Sequence, residues 1–270
     1  MTQAPALDLR GVTVTFPPSP NSPRPYTAVR DSTVTLADGE FVAIVGPTGC
    51  GKSTLLNVAA GLLAPTAGAV ATFGATLAGI NGHAGYMFQT DALLPWLTAR
   101  GNVAFGLELR GVPKAEAAAR AETWLDRVGL GGYGDRYPHQ LSGGMKKRVS
   151  LAQVLVLDPK ILLMDEPFSA LDIQTRQLME NELLDIWSAD RKSVFFVTHD
   201  LEEAISLSDR VVVMSAGPET RPIAEFAVDI PRPRDVTEIV QSPSYLDVHR
   251  RIWDALKAEV LRSYARGKGA

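Results

Sequence analysis

The chain has a single cysteine, Cys50, in 270 residues. One cysteine can form neither an internal disulfide nor a thiolate zinc site, which excludes a disulfide-stapled secreted scaffold. Charge of one sign is not in excess either: 27 Lys and Arg stand against 30 Asp and Glu, a formal net charge of −3. That balance argues against a strongly basic nucleic-acid binder. A long uninterrupted apolar run is also missing. Residues 53–90 carry no Asp, Glu, Lys or Arg, but Gly61, Pro65, Gly68, Gly74, Gly79 and Gly82 break the stretch and much of its apolar content is alanine. A membrane helix needs about 20 mostly apolar residues, so this stretch reads as buried elements of a soluble domain. The first ten residues include Asp8 and Arg10 and no apolar core, so no signal peptide is expected there. What is present, 46% hydrophobic and 21% charged residues, suffices for a core and excludes disorder of the whole chain.

Residues 7–16 read as a strand. Pro17, Pro18, Pro20, Pro23 and Pro25 then mark a surface loop, because proline cannot donate to a sheet ladder. Strand character returns over 26–36, and Asp38-Gly39 makes a turn. Residues 41–45 (FVAIV) form a short continuous apolar run, the pattern of a parallel strand covered on both faces. Residues 161–164, 194–197 and 211–214 share it. Helical patterns between these runs predict an α/β fold with a mostly parallel central sheet, preceded by an N-terminal antiparallel β part. Residues 91–150 show helical segments and no clear strand, which predicts an inserted helical subdomain. Within it, Ala117, Ala121, Trp124, Leu125 and Val128 fall on one face of a helix over 114–128. The tail, 231–270, carries an amphipathic helix near 245–261. No internal repeat is visible, so one α/β unit, not two, is expected.

The string Gly46-Pro47-Thr48-Gly49-Cys50-Gly51-Lys52-Ser53 fits G-x-x-x-x-G-K-[ST], between an apolar strand and a helical run over 54–60. Its glycines let backbone N–H groups converge on phosphate oxygens, and the helix N-terminus adds a favourable dipole. Lys52 is suited to bridge β- and γ-phosphates, and the Ser53 hydroxyl to ligate Mg²⁺. These residues and Thr54 form the expected nucleotide-binding set. Residues 161–166 (ILLMDE) are an apolar strand ending in two carboxylates. Asp165 is suited to hold Mg²⁺, and Glu166 to orient or deprotonate an attacking water. In the run 141–148 (LSGGMKKR), Ser142 looks like an N-cap and Gly143 and Gly144 expose backbone N–H groups. This second potential phosphate site makes sense when it faces a nucleotide held by another subunit.

With these motifs in this order, residues 7–230 resemble the ABC transporter ATPase family, a branch of the P-loop NTPases. Gln89 matches the Q-loop glutamine, 141–145 (LSGGM) the signature, Asp165-Glu166 the Walker B end, Ser169 to Asp172 the D-loop and His199 the switch histidine. The resemblance implies ATP and Mg²⁺ as cofactors and ATP hydrolysis as the reaction. Glu166 would be the general base. His199 would hold the γ-phosphate, and Gln89 would contact Mg²⁺ or water and couple the site to a membrane partner. Ser142 and Gly144 would touch the γ-phosphate bound by the opposite subunit. Either Phe16 or Tyr26 would stack on adenine. The chain departs from the family pattern at Met145, where many relatives have Gln, and at Gln153, where Arg is common.

Residues 93–98 (LLPWLT), the LSGGM run and 231–235 (PRPRD) resemble a bacterial importer subfamily serving nitrate, taurine, sulfonates and similar small solutes. That implies a second copy of the chain, transmembrane permease subunits and, indirectly, a periplasmic or lipid-anchored solute-binding protein. It places the chain peripherally on the cytoplasmic face of the inner membrane, with no nucleic-acid partner. A separate-chain exporter ATPase is the alternative, and a DNA-repair or translation relative a third reading. Trp96 and Leu97 either line a permease groove or, for Trp96, pack in the core. The 40 residues after 230 leave no room for a large regulatory domain. Cys50, beside Lys52 and a helix N-terminus, is expected to be a reactive thiolate whose alkylation blocks activity.

Overall fold

The computed structural model describes residues 4–18 and 23–267. β1 (Leu7–Phe16) and β2 (Tyr26–Leu36) pair antiparallel across the proline segment. Pro17, Pro18, Pro23 and Pro25 are exposed, and Pro20 lies outside the described residues. β4 (Ala67–Thr72) and β5 (Ala75–Thr76) complete a four-stranded antiparallel sheet in the order β2-β1-β4-β5.

The second sheet has six strands. β3 (Phe41–Val45) lies between β8 (Ser193–Val197) and β9 (Arg210–Met214), followed outward from β8 by β7 (Ile161–Asp165) and β6 (Ala84–Met87). These five strands are parallel, and β10 (Pro222–Ala227) adds an antiparallel edge to β9. The continuous apolar runs have a direct physical basis: alternate residues of each strand enter two different cores. Phe41, Ala43, Val45, Leu162, Met164, Val194 and Phe196 face one core. Val42, Ile44, Ile161, Leu163, Phe195 and Val197 face the other.

The second core is closed by α1 (Lys52–Ala59) and the antiparallel sheet. The first takes α2 (Ala99–Leu109), α3 (Lys114–Arg127) and α4 (Gly143–Leu155), which fall between β6 and β7 in the chain. It also takes α5 (Ile173–Asp190), α6 (Leu201–Leu207), α7 (Val236–Ile239) and α8 (Pro243–Gly267). In α3, Ala117, Ala121 and Leu125 are buried as the periodicity predicts, while Trp124 is only partly buried, with Arg127 stacked 4.0 Å from its ring centre.

α4 starts at Gly143, as the Ser142 N-cap predicts: the Ser142 hydroxyl accepts the Met145 N–H at 3.3 Å, and the glycine pair forms the first turn. Two elements differ from the sequence expectation. α8 outlasts the amphipathic pattern at both ends. β10 carried no legible signal: its residues alternate only between half-buried and exposed, and it begins at Pro222.

The Pro231–Asp235 segment is a clasp. The Arg232 guanidinium stacks on Trp187 at 4.1 Å and pairs with Asp209 at 2.8 Å, with Arg191 also on Trp187 at 4.6 Å. Arg234 donates to the carbonyls of Ile205, Ser206 and Ser208, at the C-terminal end of α6, and to Val228 and Ile230. Burial lowers its pKa to about 10, with Arg232's charge adding to the shift. Tyr245, Val248, Ile252 and Leu256 of α8 then join the main core.

Candidate active site

Parallel strands bring their C-terminal ends to one edge, where α/β sheets hold ligands. Here the ends of β3, β6, β7 and β8 deliver residues 46–51, Gln89, Asp165-Glu166 and His199 to one place. The turn after β3 requires glycine at 51, where φ is 114° and a Cβ would lie 3.2 Å from Val29 Cγ2. Thr48 and Gly49 are exposed at the turn's tip, while Gly46 and Pro47 are buried beneath it. The Lys52 ammonium is buried and donates to the Gly46 carbonyl at 2.9 Å and the Pro47 carbonyl at 3.2 Å. Its charge is thus folded onto the inside of the loop. Ser53 is exposed and its hydroxyl donates to Asp165 Oδ1 at 2.9 Å; Thr54 follows on α1.

Burial raises the Asp165 pKa, hydrogen bonds from Ser53 and Tyr86 and the charge of Lys52 draw it back, and the charge of Glu166 adds to the rise. The Ser53 hydroxyl and Asp165 carboxylate are hard oxygen donors, and a cation would relieve that penalty on the Asp165 charge, so they fit Mg²⁺. Among the described residues, no group of three or more His, Cys, Asp or Glu is placed to hold a metal. The protein therefore offers part of a shell, as Mg²⁺ sites completed by phosphate and water do.

Glu166 sits in the left-handed region at φ 44°, a strained conformation for a residue with a side chain. The hydrogen bond from its N–H to the Val197 carbonyl at 2.8 Å holds it there, locking the end of β7 to that of β8. Its Oε2 accepts from His199 Nδ1 at 3.0 Å and from Gln89 Nε2 at 3.4 Å. Glu166, Gln89 and His199, far apart in sequence, are thus one hydrogen-bonded cluster. The Ser169 hydroxyl donates to the Glu166 carbonyl at 3.0 Å, and Asp172 caps α5 through the Thr175 N–H at 3.0 Å.

Ser142, Gly143 and Gly144 stand apart. Among the described residues they make no hydrogen bond to residues 46–54. Ser142 and Gly143 are exposed at the N-terminus of α4. A Cβ on Gly144 would meet Thr175 Cγ2 at 2.6 Å, so this glycine allows α4 to approach α5.

Two residues near the site had escaped the sequence reading. Lys147 is buried and donates to the Gln89 carbonyl at 2.6 Å, with Asp91 Oδ1 at 3.5 Å. It joins the signature helix to the backbone of Gln89. Its one available signal was position: it lies a helical turn after Gly143 and three residues before Ser150, whose hydroxyl donates to the Asp91 carbonyl at 2.5 Å. Tyr86, three residues before Gln89, donates to Asn57 Oδ1 at 3.1 Å and to Asp165 Oδ2 at 3.5 Å. Burial and the Asp165 charge keep its hydroxyl protonated.

The reactive-thiolate expectation for Cys50 is corrected. The side chain is buried against Gly46, and burial pushes the thiol up more than Lys52, Thr220 and the local backbone pull it down. The helix terminus is there, but the sulfur is out of water. Phe16 and Tyr26, the two candidates for adenine stacking, are directly opposed on the last rung of β1 and β2 and both exposed. Trp96 is 70% exposed, which removes the packed-core reading. It does not line the apolar groove of about 280 Å³ to which Phe88, Ala92, Phe105, Val154 and Leu157 contribute.

A family model described as ABC transporter matches residues 29–169. An uncharacterized ABC transporter ATP-binding protein of Methanocaldococcus jannaschii is 49% identical over 84% of this chain and 83% of its own length. A taurine import ATP-binding protein of Pseudomonas aeruginosa is 45% identical over 86% of this chain and 88% of its own. A bicarbonate transport ATP-binding protein of Synechococcus elongatus is 43% identical over 84% of this chain but 34% of its own length. Among solved structures, a dimeric ATP-binding cassette in a post-hydrolysis state with ADP and phosphate superimposes with a TM-score of 0.73. It is 29% identical, over 83% of this chain and the whole of that one.

Proposed function

The chain belongs to the ABC transporter family as an ATP-hydrolysing, ATP-binding subunit, and from that premise we propose that it powers import of a small solute such as taurine, another sulfonate or nitrate. The observation that carries the mechanism is the cluster in which Gln89 and His199 both bond Glu166 Oε2. The likeness over most of both chains to a taurine import subunit supports the direction of transport. Among the described residues no helix is long and apolar enough to cross a membrane. The pore would belong to separate permease subunits, with this chain docked on their cytoplasmic face.

In the proposed reaction, the loop N–H groups of 46–51 and the Lys52 ammonium receive the phosphates. Lys52 exchanges its two carbonyl partners for phosphate oxygens. Ser53 and Asp165 would hold Mg²⁺, with Gln89 close by; bound there, the ion would neutralise charge on the transferring phosphoryl group. Glu166 Oε2 takes a proton from the attacking water while the water oxygen bonds to the γ-phosphorus and the bond to the β-phosphate oxygen breaks. His199 Nδ1–H and the Gln89 amide hold the carboxylate in line, and the imidazole would hold the γ-phosphate. Ser142, Gly143 and Gly144, the first two exposed and none bonded to the loop of their own chain, would complete the site of a second copy. Phe16 or Tyr26 would cover adenine.

The experiment is copurification of the tagged chain with the permease of its own operon, followed by solute-dependent ATPase assay. Stimulation by a periplasmic binding protein loaded with taurine, a sulfonate or nitrate supports import of that solute. Activity with the permease that no binding protein raises makes the chain an exporter subunit.

A further inference from the structure

A cavity of about 720 Å³, with His199 in its lining, opens between α5, α6, α7 and α8. Its volume falls in the range of small-ligand sites, roughly 300–1,000 Å³. Its walls are of two kinds. Ile173, Val236, Val240 and the half-exposed indole of Trp253 are apolar. The remainder is polar, with four carboxylates, Glu180, Asp200, Glu202 and Glu203, against Arg176 and the imidazoles of His199 and His249.

That arginine is already engaged. Its Nη1 bonds Asp200 Oδ2 at 2.8 Å and lies 3.7 Å from Glu203. Glu203 also accepts the Thr198 hydroxyl at 2.6 Å, and Asp200 Oδ1 caps α6. Glu180 is different. It is 5% exposed, lines the cavity, and makes no hydrogen bond or ion pair with any described residue. A buried carboxyl without a partner is costly. Burial, with the charges of Glu203, Asp200 and Glu202 against that of Arg176, pushes it up to about 8. Two polar atoms close by, Arg176 Nε and the Tyr245 hydroxyl, are fully buried without partners. No described cation stacks on Trp253, although cations cover Trp124 and Trp187 elsewhere.

We propose that this cavity binds a small organic cation whose ammonium or guanidinium group pairs with Glu180 while its hydrocarbon part lies against Trp253 and Val240. The ligand would supply the missing partner of Glu180, offset the excess of carboxylates and use the open aromatic face. Asp200 follows His199 directly and caps α6, so the occupant would sit against the helix that carries the switch histidine's loop. The cavity shares His199 with the nucleotide site but none of residues 46–54, and its existence does not depend on the transport reading.

The test is calorimetric titration of the full chain with benzamidine and with its neutral isostere benzamide. Benzamidine is expected to bind saturably, at least ten-fold more tightly than benzamide. The E180Q variant is expected to erase that preference, and V240W, which fills the cavity, to abolish both. Equal binding of the two probes by the unaltered chain, or a benzamidine affinity indifferent to E180Q and V240W, would overturn the proposal. The probe comparison needs no variant, so a folding defect in either variant leaves the result decisive.

Discussion

Glu166 Oε2 lies 3.0 Å from His199 Nδ1, and the two are brought together by the bond from the Glu166 N–H to the carbonyl of Val197, two residues before His199. The side-chain contact thus rests on a backbone contact between adjacent strand ends. It also depends on the left-handed backbone at Glu166, which turns the chain at the end of β7.

Lys147 is expected to couple the signature helix to that cluster through Gln89. K147M keeps the apolar stem and removes the ammonium, leaving the Gln89 carbonyl and Asp91 without their partner. A loss of about 1.5–3 kcal/mol follows for hydrogen bonds to a buried charge. Urea unfolding should show that loss, and ATPase assay a several-fold lower kcat. Unchanged stability would show the contact to be passive.

Stability should fall as pH rises through neutrality. Burial raises Glu180 to about 8 and Glu203 to about 7, above the ordinary carboxyl value of 4.5. Between those limits the folded chain holds protons that the unfolded chain has released, so stability is greatest at the acid end and declines toward pH 8. The groups facing these two are Arg176 on α5, Glu202 on α6, and Thr198, His199 and Asp200 in the turn before it. E180Q is expected to flatten the decline and to stabilise the chain by about 1–2 kcal/mol at pH 9. Thermal midpoints from pH 6 to 9 measure both slopes, and parallel slopes would contradict the assignment.

Cys50 should react slowly. Its thiol is buried and pushed up, so iodoacetamide at pH 7.5 is expected to label the native chain at least ten-fold more slowly than the urea-unfolded chain. Mass spectrometry over time gives both rates. Equal rates would restore the reactive-thiolate expectation.

The fold's framework was legible because its strands are two-faced. Runs such as 41–45 read as apolar throughout since each face has its own core. The phosphate loop and the Asp165-Glu166 pair were legible for a related reason: strand ends at one edge must turn, and the turn residues are those of the chemistry. Partnerships between distant residues were not. A lysine pair at 146–147 gives no sign that only the second is buried, and Glu180 looks like an ordinary residue of a helix face. Arg234 reads as a surface charge in a proline-rich tail, whereas its guanidinium collects carbonyls around the end of α6. Burial decides each case, and burial depends on elements far away in sequence.

Trp96, which follows Gln89 closely in the chain, is largely exposed. An exposed indole at that position suits a partner surface. W96A is expected to leave the ATPase activity of the isolated chain within two-fold and to lower permease-stimulated activity at least ten-fold. A matching loss in the isolated chain would place Trp96 in the chemistry instead.

The most direct test of the mechanism is E166Q, which keeps the shape and both hydrogen-bonding neighbours of Glu166 but removes the base. The account predicts ATP turnover reduced by about 10²–10⁴, with ATP still bound and a stable ATP-dependent dimer in gel filtration. Wild-type turnover by E166Q, or a monomer that holds ATP without pairing, would contradict it.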